Sequence, residues 1–161
     1  MTETIYTQKI STENFAIFGD VIDSEGISPT IINRGECKRY NDLARLQFSG
    51  ARLGISIFDA NVRSFPYKLD MMERHPLGSQ SFIPMTHSPF LVTVAKNLND
   101  TPVEPKAFVT APGQGINLLA GTWHGVLTPL KEPGRFAVVD RIGSDENLEE
   151  FYFEKPFIVE N

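Results

Sequence analysis

Along this chain apolar and polar residues alternate in short bursts, and nowhere do they settle into the 3.6-residue rhythm of a long amphipathic helix. Runs at 53–58, 67–73, 80–85, 90–95, 106–109, 115–119 and 135–140 alternate or are continuously apolar, and each reads as a strand. Between them lie most of the 11 prolines and 12 glycines, the punctuation of tight turns. One short helix is expected over 11–19, where Ser11 offers a hydroxyl N-cap and Gly19 a stop. A last run, 151–159, reads as a strand that Pro156 places at a sheet edge or breaks, and its aromatics are candidates for a subunit contact. Many short strands with no amphipathic helices between them favour a β-sandwich or barrel over an α/β crossover fold. No repeat, linker or low-complexity tract divides the chain, so 1–161 reads as one domain.

Chemistry enters at the end of the 67–73 run. If the segment stays extended, Tyr67, Leu69, Met71, Glu73 and His75 share one face, which begins apolar and ends titratable. Arg74 then points the other way and reads as a structural ion pair. A carboxylate beside an imidazole at the end of an inward-facing row has its protonation shifted by burial and by its neighbour. The plain alternative is a surface turn at His75-Pro76-Leu77-Gly78. A second segment, 112–125, runs from one glycine turn through a strand to another and ends at Trp123-His124. Trp123 reads as core packing, and His87, flanked by prolines, as an exposed turn residue.

Composition narrows the partners. A net charge of −5 argues against nucleic acid and against an anionic membrane surface. No apolar run approaches the roughly 18 residues of a membrane span, and the first ten positions lack a secretory core. The single cysteine, Cys37, rules out an intrachain disulfide and a thiolate zinc cluster and suits a reducing compartment, so a cytoplasmic protein with a small-molecule ligand is expected. Lys38 and Arg39 flank Cys37 and would lower its pKa, but an unassisted cysteine is more often inert.

The strand-turn-histidine pattern at Gly121-Thr122-Trp123-His124 resembles the second half of a cupin barrel. Glu73, His75 and Gln80 stand where cupins carry His, His and Glu, so the scaffold looks kept and the metal ligands altered. The likeness sharpens when several segments are read in order: Phe15-Ala16-Ile17-Phe18-Gly19-Asp20, Ile32-Asn33-Arg34-Gly35, Arg39-Tyr40-Asn41-Asp42, Glu73-Arg74-His75-Pro76-Leu77-Gly78-Ser79-Gln80-Ser81-Phe82-Ile83-Pro84-Met85, Trp123-His124 and Asp140-Arg141. Together they resemble the ureidoglycolate lyase family over nearly the whole chain. The resemblance implies a cupin-like double-stranded β-barrel, usually a homodimer, that splits (S)-ureidoglycolate into glyoxylate and urea late in allantoin breakdown. Gly143 stands one place later after Arg141 than the family's glycine often does, and 24–30 looks variable.

That substrate carries a carboxylate, a hydroxyl and a ureido nitrogen on one carbon, so cleavage needs a base for the hydroxyl proton and an acid for the departing nitrogen. His75 and His124 are the expected pair, in either order, with Glu73 as orienting group or competing base. Gln80 is expected to donate to the forming carbonyl or the ureido oxygen. A guanidinium suits the substrate carboxylate, and Arg39 and Arg141 are the candidates. Tyr40, Asn33 and Asp140 lie beside them and could bind the urea end, or serve as ordinary turn and strand residues. Either no metal is required, or a weakly held divalent ion such as nickel or zinc sits on His75, Gln80, His124 and Glu73. An amidohydrolase releasing ammonia would need a well-held metal to activate water, as would a cupin dioxygenase or isomerase. A non-catalytic binding cupin would gain nothing from gathering an acid and two imidazoles.

Overall fold

The computed structural model describes residues 3–161. Its strands are β1 (Thr4–Lys9), β2 (Gly19–Ile22), β3 (Thr30–Ile32), β4 (Cys37–Arg39), β5 (Arg52–Asp59), β6 (Tyr67–Arg74), β7 (Gln80–Pro84), β8 (Phe90–Leu98), β9 (Thr101–Val109), β10 (Gly115–Leu118), β11 (Trp123–His124), β12 (Thr128–Pro129), β13 (Arg135–Ile142) and β14 (Glu149–Glu160). A single turn of helix, α1 (Thr12–Phe15), precedes β2.

Strands β11, β6, β14, β1, β9 and β8 follow one another in one sheet, and a further β11–β8 pairing closes them into a six-stranded barrel, with β12 hanging from β8. A five-stranded sheet in the order β2, β10, β7, β13, β5 lies against it. Two apolar clusters follow from these layers. Leu69, Met72, Leu91, Ala95, Ala107, Trp123 and Val159 fill the closed barrel. Phe82, Ile116, Leu118, Phe136 and Val138 of the five-stranded sheet meet Phe90, Val92, Val94 and Phe108 of the barrel in the seam between them. This is the mainly β, cupin-like barrel that the alternating pattern and the resemblance both anticipate. The small hairpin of β3 and β4 pairs with neither large sheet.

Three local expectations are corrected. The helix stops at Phe15 and does not run to Gly19, although Ser11 and Asn14 form the anticipated cap, with Asn14 Oδ1 accepting from the Ser11 N–H at 2.8 Å. Burial decides the stop: Phe15 and Phe18 are 0% and 2% exposed, and the turn between them drops both rings into the seam. Gly19 then lets β2 reach β10, since a Cβ there would lie 1.9 Å from the Asn117 carbonyl oxygen. Strand β14 is interior rather than an edge, paired with both β6 and β1; of the two effects expected of Pro156 the break is the one found, since it falls where the register against β6 shifts between Tyr152 and Phe157, and its missing N–H costs no ladder bond. Its ring-bearing residues Phe151, Phe153 and Phe157 pack on the barrel core, leaving Tyr152 as the outward aromatic.

The same irregularity overturns the five-residue face of β6. Leu69 and Met72, three residues apart, lie in one cluster, so strict alternation fails between them. Beyond the break Met72 and Arg74 face the barrel interior, where the Arg74 guanidinium carbon sits 4.6 Å from the centre of the Trp123 ring. Glu73 is left facing the seam, opposite His124.

Candidate active site

Strand β11 sits between β6 and β8, and its His124 lies directly opposite both Glu73 and Val94. His75 follows β6 by one residue and is held through its own carbonyl, which accepts from the Gly121 N–H at 2.9 Å. Gly121 makes that turn at φ 78°, a conformation other residues rarely adopt. The two imidazoles thereby come within 5.4 Å of each other, centre to centre, and His75 Nε2 lies 4.0 Å from Glu73 Oε1.

Each ring has one nitrogen engaged and one free. His75 Nδ1 is 2.8 Å from the Asn147 carbonyl oxygen and His124 Nδ1 is 3.0 Å from that of Gly125. A carbonyl can only accept, so each Nδ1 carries the hydrogen and each Nε2 of a neutral ring presents a lone pair. Both Nε2 atoms are buried without a partner. Burial is the chief reason the His124 pKa falls to about 4; the Gly125 carbonyl opposes the fall and charge on His75 adds to it. Burial likewise raises the Glu73 carboxyl above the usual range, against the attraction of His75 and with help from Glu150.

In the five-stranded sheet, Gln80 of β7 and Asp140 of β13 are register partners. Gln80 Nε2 donates to Asp140 Oδ2 at 3.2 Å. With its N–H turned to the Asp140 oxygen, the amide's own oxygen turns away, and both Gln80 Oε1 and Asp140 Oδ1 are buried without partners. One N–H of Gln80 is thereby engaged and the second stays available for the expected donor role, while its unengaged oxygen adds an acceptor. Two adjacent acceptors suit a ligand rich in N–H groups.

The arginines sort by what they already hold. Arg74 donates from Nε to Glu149 at 2.6 Å, from Nη1 to Asn97 at 3.1 Å and from Nη2 to Asp100 at 2.9 Å, as a structural ion pair should. Arg141 points away from Asp140; its Nε donates to the Ser49 carbonyl at 2.8 Å and its Nη2 to Asp145 at 2.6 Å, with the side chain 2% exposed. The clamp expected of Arg141 is thus occupied as a structural tie. Arg39 and Asn33 are exposed and Tyr40 half-buried in and beside the β3–β4 hairpin, and Arg39 makes no ion pair among the described residues. Among the described residues no hydrogen bond joins these three to the histidine pair. Cys37 is half-buried and His87 exposed, both outside the site.

Sequence reasoning missed Asn147, which lies in a polar loop after Gly143 with no periodicity to mark it. It also missed Asn97, whose Oδ1 accepts from both Arg74 and the Trp123 indole N–H at 3.0 Å. The donor set also fits a divalent cation: ligand atoms of Glu73, His75 and His124 lie within 4.8 Å of one another, both imidazoles turn an unpartnered Nε2 toward the space, and the Gln80 oxygen is unpartnered too.

Residues 2–160 match the model of the family described as ureidoglycolate lyase. A ureidoglycolate lyase of Rhodobacter capsulatus is 52% identical over 159 residues, covering 98% of this chain and 99% of that protein. Ureidoglycolate lyase 2 of Rhizobium meliloti is 51% identical, with 94% of each chain covered, and the ureidoglycolate lyase of Mesorhizobium japonicum is 50% identical, with 95% of each covered.

Proposed function

Because this chain belongs to the ureidoglycolate lyase family, we propose that it splits (S)-ureidoglycolate into glyoxylate and urea, late in allantoin breakdown, by moving one proton across a hemiaminal carbon. The observation that carries the reading is the pair of neighbouring imidazoles, each with Nδ1–H on a main-chain carbonyl and Nε2 buried and unpartnered. His124 takes the hydroxyl proton at Nε2: full burial keeps the ring neutral, so the lone pair is available at every pH above about 4. As the carbonyl forms, the C–N bond breaks and its electrons go to the ureido nitrogen. That nitrogen receives a proton from the His75–Glu73 pair, whose carboxyl holds its proton more tightly than usual. The proton on His124 then returns to that pair across the short gap between the rings, and the site is reset.

Gln80 Oε1 and Asp140 Oδ1 accept from the ureido N–H groups and hold the leaving nitrogen toward the acid. Arg39 is the better carboxylate partner, since Arg141 is already occupied, and Tyr40 and Asn33 travel with it on the hairpin. A divalent cation such as nickel or zinc would be held by Glu73, His75, His124 and the Gln80 oxygen, and would supply Lewis-acid polarisation of an oxygen. We also infer a homodimer working in the cytoplasm on this small substrate, with neither nucleic acid nor membrane as partner. The net charge of −5 argues against nucleic acid and an anionic membrane surface, and no helix among the described residues is long and apolar enough to cross a membrane.

The test is incubation with racemic ureidoglycolate, with and without chelator, following glyoxylate, urea and ammonia and subtracting spontaneous decay. Glyoxylate and urea in equal amounts are expected, with no ammonia. Ammonia in place of urea would mean hydrolysis at the urea carbonyl and would end the lyase reading. Loss of activity to chelator would assign the histidines to a metal.

A further inference from the structure

The loop between β13 and β14, residues 143–148, carries no residue that the chemistry above calls for, yet it holds the histidine that the chemistry depends on. The Asn147 carbonyl accepts from His75 Nδ1 at 2.8 Å, and the Asn147 side-chain oxygen accepts from the Leu77 N–H at 2.7 Å. One residue thus grips both flanks of Pro76, which has no N–H of its own. The loop is tied again two residues earlier, where Asp145 meets the buried Arg141. Arg141, in turn, is anchored to the Ser49 carbonyl.

We propose that Asn147 is a positioning residue: its carbonyl fixes the His75 ring as the Nδ1–H tautomer with Nε2 toward Glu73 and His124, and its amide oxygen fixes that carbonyl. This rests on the role given to His75 above. The division of labour is visible in the hydrogen bonds. The His75 main chain is secured independently by Gly121, so losing the Asn147 amide frees the ring without releasing the backbone. A ring free to rotate or to exchange tautomers offers the substrate an N–H where a lone pair is needed, or the reverse.

Three measurements test it. In wild-type protein, nitrogen-15 NMR should report His75 as the Nδ1–H form when neutral; an Nε2–H form overturns the proposal whatever any variant does. Asn147→Ala should lower kcat about 10- to 100-fold with KM changed much less, and should mix the His75 tautomers. Asn147→Asp keeps an acceptor for the Leu77 N–H and should recover most of the loss. An unchanged kcat in Asn147→Ala, or an equal loss in both variants with the tautomer intact, overturns it. Product analysis of the wild-type enzyme separates the failures: absence of urea and glyoxylate removes the parent reading, whereas normal products beside an indifferent Asn147→Ala remove only this inference.

Discussion

A neutral imidazole stays neutral when the energy of desolvating its charged form outweighs what its neighbours return, and His124 is held that way. Its folded pKa is depressed from 6.5 to about 4. The sign of the resulting stability follows: the unfolded chain binds a proton below about pH 6.5 that the folded chain refuses until about pH 4, so stability is complete above pH 6.5 and falls as the pH drops through that window. This one group should remove roughly 3 kcal/mol by pH 4. Urea denaturation from pH 7 to pH 4 should show the loss, and His124→Gln should flatten the part that this ring contributes. The same displacement should push the acid limb of kcat/KM below pH 5, and a limb centred near 6.5 would remove His124 as the neutral base. His124→Ala and His75→Gln should each lower kcat about a hundredfold or more, and wild-type rates in both would end the acid–base scheme. Glu73 and His75 were legible because they stand beside each other in a polar burst after an apolar run. Asn147 was not, because its contribution is a main-chain carbonyl that any residue possesses, placed by a loop 72 residues away.

Among the elements, β13 ties Arg141 into the structure, and the β3–β4 hairpin leaves Arg39 exposed for the carboxylate role proposed above. Alternation along β13 puts Asp140 and Arg141 on opposite faces, and Gly78 leaves room for Arg141 to pass, since a Cβ there would lie 2.6 Å from the Arg141 Cβ. Arg141→Lys should therefore lower the melting temperature by several degrees while KM changes little. Arg39→Lys should leave the melting temperature unchanged and raise KM about tenfold, because a point charge replaces a fork. Reversal of the two phenotypes would return the carboxylate clamp to Arg141. The strands from β5 to β10, with β13 and β14, were legible because burial of a face imposes the period of two, whereas β1 to β4, which are short or mostly exposed, were not anticipated. The pattern failed at β6, where the shifted β14 ladder reverses the faces between Leu69 and Met72, and at β11 and β12, each too short to show a period.

For the whole molecule, the outer face of the five-stranded sheet is the surface on which to test the homodimer proposed above. Ile55 is 76% exposed and Met85 54%, with Ile57 and Ile83 beside them, and the exposed Asp59–Arg135 pair borders the patch with both charges. An apolar centre with opposite charges at its edge can meet a two-fold copy of itself. Ile55→Glu should convert a dimer to a monomer in sedimentation or light scattering, and a dimer unaffected by it uses another face. By itself the sequence determined that the chain folds as β-structure, which segments bear the acid and the imidazoles, and which family it resembles, because alternation, turn residues and an ordered set of motifs are local properties. Tertiary structure decided which of the candidate arginines is free of an ion pair, which Gln80 atom is left unpartnered, which nitrogen of each histidine carries the proton, and that the two imidazoles meet beside Glu73. Each of those depends on a partner distant in the chain, and only packing chooses among partners that the sequence leaves equally available.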